Sequence, residues 1–154
     1  VTKTVGDLAG PMAFAALMGT ARLICGKWGH KLHLEKCMLG SSLLCVAAYL
    51  AIALVPNPLL SLVGCAVCGF SVGILWPGTF SKGAAVIPKG GTVMFALFAL
   101  AGDLGCSAGP TLAGMITRVC DGNMRRGILA GIVFPLLLVL CLVFGKKRKA
   151  AAGI

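Results

Sequence analysis

The sequence predicts an all-α protein, a polytopic membrane helix bundle, and three observations lead there. Of its 154 residues 58% are hydrophobic and 12% are charged, with a mean hydropathy of +0.99, far from the composition of a soluble domain. A membrane-crossing helix needs about 20 mostly apolar residues, and five such stretches follow one another at roughly 5–24, 37–55, 58–79, 92–117 and 127–145. The loops between them are too short for a soluble domain, so no catalytic domain outside the membrane is expected and the chain is not read as an enzyme. The first residue is Val1 rather than Met, and the opening segment has neither the basic start nor the cleavage site of a signal peptide. The expectation is a fragment or processed piece of a longer protein.

The first span opens with GDLAGP, Gly6 to Pro11, and is followed by a basic loop. The second is mostly Leu, Ala and Cys, with Ser41, Ser42 and Tyr49 as its few polar members, and reads as scaffold. It ends at VPNP, where Pro56 and Pro58 predict a tight turn.

The third span carries Gly69 and Gly73, a small-x-x-x-small pair that lets another helix approach closely. Pro77 has no amide hydrogen to give the Gly73 carbonyl, which predicts a bend or a broken turn. Trp76 lies about 27 Å along the helix from Pro58 at 1.5 Å per residue, at the depth of an interfacial anchor. Cys65 and Cys68 form a C-x-x-C, but mid-membrane, without basic neighbours to stabilise a thiolate or soluble ligands to complete a metal site. With most of the eight cysteines in or beside apolar spans, they read as small packing residues, and no metal or cofactor is expected.

The fourth span contains GDLGCSAGP, Gly102 to Pro110. Asp103 lies about 17 Å from Thr92, near the centre of a hydrocarbon layer about 30 Å thick. Exposing a carboxylate to lipid there costs about 2.5–3.5 kcal/mol, so Asp103 should face protein, water or a pathway, or be protonated. At 100° per residue, Ser107, Pro110 and Gly114 return to within about 20–40° of Asp103, while Gly102, Gly105, Gly109 and Ala113 gather on another edge suited to close packing. Asp103 then has two readings: a pathway residue, or a structural carboxylate bonded to a neighbouring helix. The fifth span holds Gly131 and Pro135 but no charge before Lys146, and reads as peripheral support.

The net charge of +10 is explained by its distribution. Ten basic residues, Arg22, Lys27, Lys31, Lys36, Lys82, Lys89, Lys146, Lys147, Arg148 and Lys149, fall on one side of a five-span path, and only Lys3, Arg118, Arg125 and Arg126 on the other. The positive-inside rule places the amino end outside and the carboxyl end in the cytoplasm of a multi-pass cell-membrane protein. Nucleic-acid binding, which needs a soluble basic surface interleaved with aromatics, is not expected.

The pattern resembles the carboxyl-terminal half of a major facilitator superfamily transporter over nearly the whole chain. The resemblance makes the five spans helices eight to twelve, with the seventh and the amino-terminal half missing. The stretch GKWGHKLHLEK, Gly26 to Lys36, after Arg22 resembles the family's basic loop between helices eight and nine, although His30 stands where the usual aspartate would be. It implies that Arg22, Lys27 and Lys31 act as cytoplasmic latch residues. In this family helix eight corresponds to helix eleven as inverted repeats, a reason for GDLAGP and GDLGCSAGP to echo one another. Gly105, Gly109 and Pro110 resemble the small-residue motif of helices that line or gate the cavity.

The function expected from this reading is part of a secondary transporter that moves a small solute by alternating access, with proton coupling as a candidate drive. Asp103 would bind a proton or a polar or cationic solute, and Ser107 would donate a hydrogen bond to that solute or to Asp103. The expected partners are the lipid bilayer, the solute and the missing amino-terminal half. The other reading is a self-contained five-helix scaffold or assembly subunit whose glycine seams bind other helices. Charge yields a direct check on orientation. In a Cys120→Ser background, an engineered cysteine beside Lys147 is expected to resist a membrane-impermeant maleimide added outside sealed cells, and labelling without leakage rejects that orientation.

Overall fold

The structure, a computed structural model, describes residues 3–28 and 33–151, with side chains for 4–28 and 33–145. It contains six helices: α1 (Lys3–Trp28), α2 (Leu34–Leu54), α3 (Pro58–Val86), α4 (Gly91–Val119), α5 (Met124–Gly131) and α6 (Val133–Ala151). Five helical spans are long and apolar enough to cross a membrane, with α5 and the first part of α6 forming the fifth, Met124–Gly145. Only helices satisfy every backbone polar group within one segment, which is why apolar stretches of this length fold this way in lipid.

The connections follow from local chemistry. After α2, the Asn57 side chain accepts from the Leu59 amide at 3.0 Å and Pro58 occupies the first turn, where its missing N–H is harmless. Between α4 and α5 the chain turns through Asp121 (φ 55°) and Gly122 (φ 78°), and Asn123 caps α5 by accepting from Arg125. The α5/α6 break lies at Ile132. Pro135 explains it, because a proline four residues after Gly131 cannot donate to the Gly131 carbonyl and crowds it.

Pro77 behaves differently from the expected broken turn. Helix α3 runs unbroken through it to Val86, seven residues beyond the predicted end. The run after Pro77 is retained because its aromatic and glycine positions pack: Phe80 contacts Trp76, Phe95 and Phe98 with ring centroids 4.8–5.6 Å apart, and Gly83 lies against the Phe98 ring.

Helix α3 is the centre of the bundle, with α1 and α2 both packed along it. On the α1 side the chain backs directly onto glycine. The position of a Cβ on Gly69 is taken by the Phe14 backbone, and one on Gly73 would lie 2.6 Å from the Met18 carbonyl oxygen and 2.9 Å from Ala21 Cβ. This is the close approach that the Gly69–Gly73 spacing predicts. On the α2 side Gly64 faces Ile52 and Gly78 faces Met38. A small core of Cys45, Ala48 and Cys68, with Phe14, Tyr49, Val67 and Val72 around it, fills the middle. The Cys45 and Cys68 sulfurs are 3.7 Å apart. The buried Ser42 and Ser71 hydroxyls donate to carbonyls one turn back, Met38 and Val67, leaving no unpaired polar group in this core.

Glycine contacts of this kind are sensitive to bulk. Gly69→Leu and Gly73→Leu are expected to lower thermal stability in detergent by about 1–3 kcal/mol or to block folding, because backbone, not a flexible side-chain tip, occupies the space. Gly40→Ala, where nothing lies within 4 Å, is expected to be neutral or stabilising. Equal thermal shifts for Gly69→Leu and Gly40→Leu are the result that overturns the packing account.

Candidate functional site on helix α4

Helix α4 is built unlike its neighbours, for it touches α3 at one end and α5 at the other and is otherwise uncovered. The α3 contact runs from Phe95 and Phe98, on Phe80 and Gly83, to Gly102, which takes the edge of the Trp76 indole: a Cβ there would lie 2.7 Å from the ring. Trp76, expected at the interface, packs here against a neighbouring helix with α3 continuing ten residues past it, and it is 42% exposed. The α5 contact is made by Ala113 and Thr117, onto which Gly127 closes. Between residues 102 and 113, about 16 Å of helix at 1.5 Å per residue, lies a gap.

The predicted site residues fall in that gap. Asp103, Ser107 and Pro110 are exposed, and Gly105, Gly109 and Gly114 have nothing within 4 Å of a Cβ position. The packing edge read from the sequence is therefore divided within the described residues. Gly102 and Ala113 are covered by α3 and α5, whereas Gly105 and Gly109 meet no described helix.

The hydroxyls of this edge bond along the helix. Ser107 Oγ donates to the Asp103 carbonyl oxygen at 3.0 Å, so its partner is the backbone of Asp103 and not the carboxylate. Thr111 Oγ1 donates in turn to the Ser107 carbonyl at 2.7 Å. Asp103, Ser107 and Thr111 make a polar stripe at i, i+4, i+8, and Thr111 is the member that the sequence reading passed over. The spacing of four was its available signal. Pro110, beside this stripe, cannot donate to the Cys106 carbonyl, which leaves an acceptor open on the same stretch. The stripe therefore presents one carboxylate and hydroxyl oxygens still free to accept, along the middle of a membrane-length helix.

The other predicted positions lie apart from α4. Arg22 and Lys27 sit in the last two turns of α1, exposed at the end where Glu35 and Lys82 form an ion pair of 3.3 Å between α2 and α3. Lys31 and His30 lie outside the described residues. Asp7, in the phrase that echoes Asp103, is exposed on the first turns of α1, and its neighbour Gly10 gives its carbonyl to the Cys65 thiol at 3.8 Å. Among the described residues no three His, Cys, Asp or Glu side chains converge as a metal site. No protein-family model, no curated protein and no solved structure matches this chain.

The open gap makes a two-sided prediction. Gly105→Leu and Gly109→Leu are expected to leave the thermal stability of this chain alone unchanged in detergent, while Gly127→Leu, which meets Ala113 and Thr117, lowers it. A loss at Gly105 or Gly109 equal to that at Gly127 would show that a helix of this chain covers them.

Proposed function

We propose that this chain is part of a secondary active transporter of the major facilitator type, moving a small solute across the membrane by alternating access. The single observation behind the reading is the position of Asp103: a carboxylate near the middle of a 29-residue apolar helix, on an edge that no described helix covers. A carboxylate facing hydrocarbon there costs about 2.5–3.5 kcal/mol, whereas one facing a water-filled pathway costs little and can take up a proton or a cation. Asp103 is the coupling or recognition residue of this proposal, and Ser107 and Thr111 are its hydrogen-bonding neighbours. The remaining half of the cavity comes from an amino-terminal half of the same transporter, against which Gly105, Gly109 and Pro110 lie. Arg22, Lys27 and Lys31 belong to its cytoplasmic latch, with the amino end outside and the carboxyl end inside the cell.

The uncovered Gly105–Gly109 seam also supports the other reading, a membrane scaffold whose α4 binds a partner helix, with Asp103 satisfied by that partner. Asp103→Asn separates the two. Asparagine retains shape and hydrogen bonding but cannot carry the charge. In the complete protein, reconstituted into vesicles loaded with a pH-sensitive dye and screened against amines, amino acids and sugars, the wild type is expected to move protons on addition of its solute. Asp103→Asn is expected to lose that flux and to keep gradient-free exchange. Solute-driven proton movement unchanged in a folded Asp103→Asn protein makes Asp103 structural and removes the basis of the assignment.

A further inference from the structure

At the opposite end of α3 from its connection with α2, helices α1, α2 and α3 enclose a cavity of about 540 Å³. It is separate from the α4 stripe. Its walls are Arg22, Cys25 and Gly26 from α1, Leu34 and Cys37 from α2, and a run of α3 from Ile74 to Ser81 that includes Trp76, Pro77 and Gly78. The cavity exists because α1 and α2 both pack on α3 and hardly on each other, so the two diverge over a glycine and a proline that fill little space. Arg22, Gly26 and Ser81 are exposed, which opens it to the surface.

Among the described residues Arg22 is the one charged group on these walls. Among the described residues its guanidinium touches only the Met18 sulfur, at 3.8 Å, and no described carboxylate is within ion-pair reach. It lies six residues before Trp28, about 9 Å inside the end of α1, where a long cationic side chain reaches the level of lipid phosphates. A guanidinium with its donors open binds phosphate oxygens in pairs. Around it, Leu34, Ile74, Trp76 and Pro77 offer an apolar wall. Lys27, Lys36, Lys82 and Lys89 stand at the same end of the bundle, where the described carboxylate, Glu35, is paired with Lys82.

We infer that this cavity is a binding site for an anionic phospholipid, its phosphate held by Arg22 and the upper part of an acyl chain lying against Leu34, Ile74 and Pro77. The pairing of one open guanidinium with an apolar wall at the membrane rim selects a ligand with a phosphate at one end and hydrocarbon at the other. A fully water-soluble phosphate ester would leave that wall unused. The volume lies within the range that encloses a small organic group. This inference uses neither Asp103 nor a second half, and it shares with the transport reading only Arg22, there a latch residue.

The test uses the two tryptophans. Trp28→Phe leaves Trp76, on the cavity wall, as the only tryptophan, read selectively by excitation at about 295 nm, where tyrosine hardly absorbs. In phosphatidylcholine nanodiscs, phosphatidylglycerol brominated on its acyl chain is expected to quench Trp76 with about fivefold higher apparent affinity than brominated phosphatidylcholine, the preference one basic residue has for a phosphate that no choline cation offsets. Arg22→Gln abolishes the preference and Arg22→Lys keeps part of it. Gly26→Leu, which fills the cavity without a clash since nothing lies within 4 Å of that position, also removes it. Lys89→Gln removes the same charge from the same end away from the walls and leaves it intact. Equal quenching by the two lipids, or equal losses for Arg22→Gln and Lys89→Gln with Gly26→Leu unaffected, overturns the site in favour of a diffuse surface charge. Displacement of the quenching by soluble glycerol phosphate at millimolar concentration also overturns it, in favour of a water-soluble ligand.

Discussion

The bundle depends on the absence of side chains along one helix. In lipid, apolar burial gives no net drive to bring helices together, because hydrocarbon chains solvate a leucine as well as another leucine does. What remains is van der Waals contact, and that falls away steeply with distance. Gly69 and Gly73 let the backbone of α1 reach α3 at Phe14 and Met18, while Gly64 and Gly78 accept Ile52 and Met38 from α2. Backbone contact at Gly69 and Gly73, one turn apart, and side chains seated on Gly64 and Gly78 replace the missing hydrophobic drive. Everything else in the three-helix unit, including the thiol-lined core at Cys45 and Cys68 and the cavity around Arg22, occupies space that this arrangement leaves.

The same rule explains why α4 is attached at two points and not along its length. Its contact with α3 is a plate of aromatic rings, Trp76, Phe80, Phe95 and Phe98, set against Gly102 and Gly83. Its contact with α5 is again glycine on backbone, at Gly127. Between them, Gly105 and Gly109 have the spacing that Gly69 and Gly73 use on α3, yet nothing faces them. An equivalent pair on two helices of one chain, one filled and one empty, separates the sequence signal from its use.

That contrast shows what was legible in the sequence. The five spans were, because length and hydropathy determine them in lipid. So was the close approach at Gly69–Gly73, since four-residue glycine spacing has a steric meaning wherever it occurs. Which helix would fill a given seam was not, because nothing in the spacing distinguishes Gly69 from Gly105; only the path of the chain does. The effect of proline was legible in part. The turn at Pro56 and Pro58 was foreseen and the α5/α6 break before Pro135 was not, while Pro77 sits within a helix whose later residues are held by aromatic contacts to α4, and distant packing outweighs one lost hydrogen bond. Asp103 stood out by depth alone. Thr111 did not, because a hydroxyl at the edge of an apolar run carries little weight until the carbonyl it bonds is known.

The polar stripe and the open seam on α4 constrain one another. Ser107 and Thr111 spend their protons on carbonyls one turn back, so neither is available to donate to the carboxylate of Asp103. Any group that neutralises Asp103 must therefore come from outside the described helices: a proton, a cation, a water chain or a donor on another helix. Gly105 and Gly109 admit a helix near enough to supply such a donor, but a helix filling the seam completely would also exclude water from the carboxylate beside it. Seam and stripe work together only if the neighbouring helix packs on the glycines and leaves the Asp103 side open, a geometry in which a small lateral shift of that neighbour alternately wets and seals the carboxylate. In the transport reading proposed above, rocking of one half against the other would supply that shift; in the scaffold reading the neighbour would stay fixed.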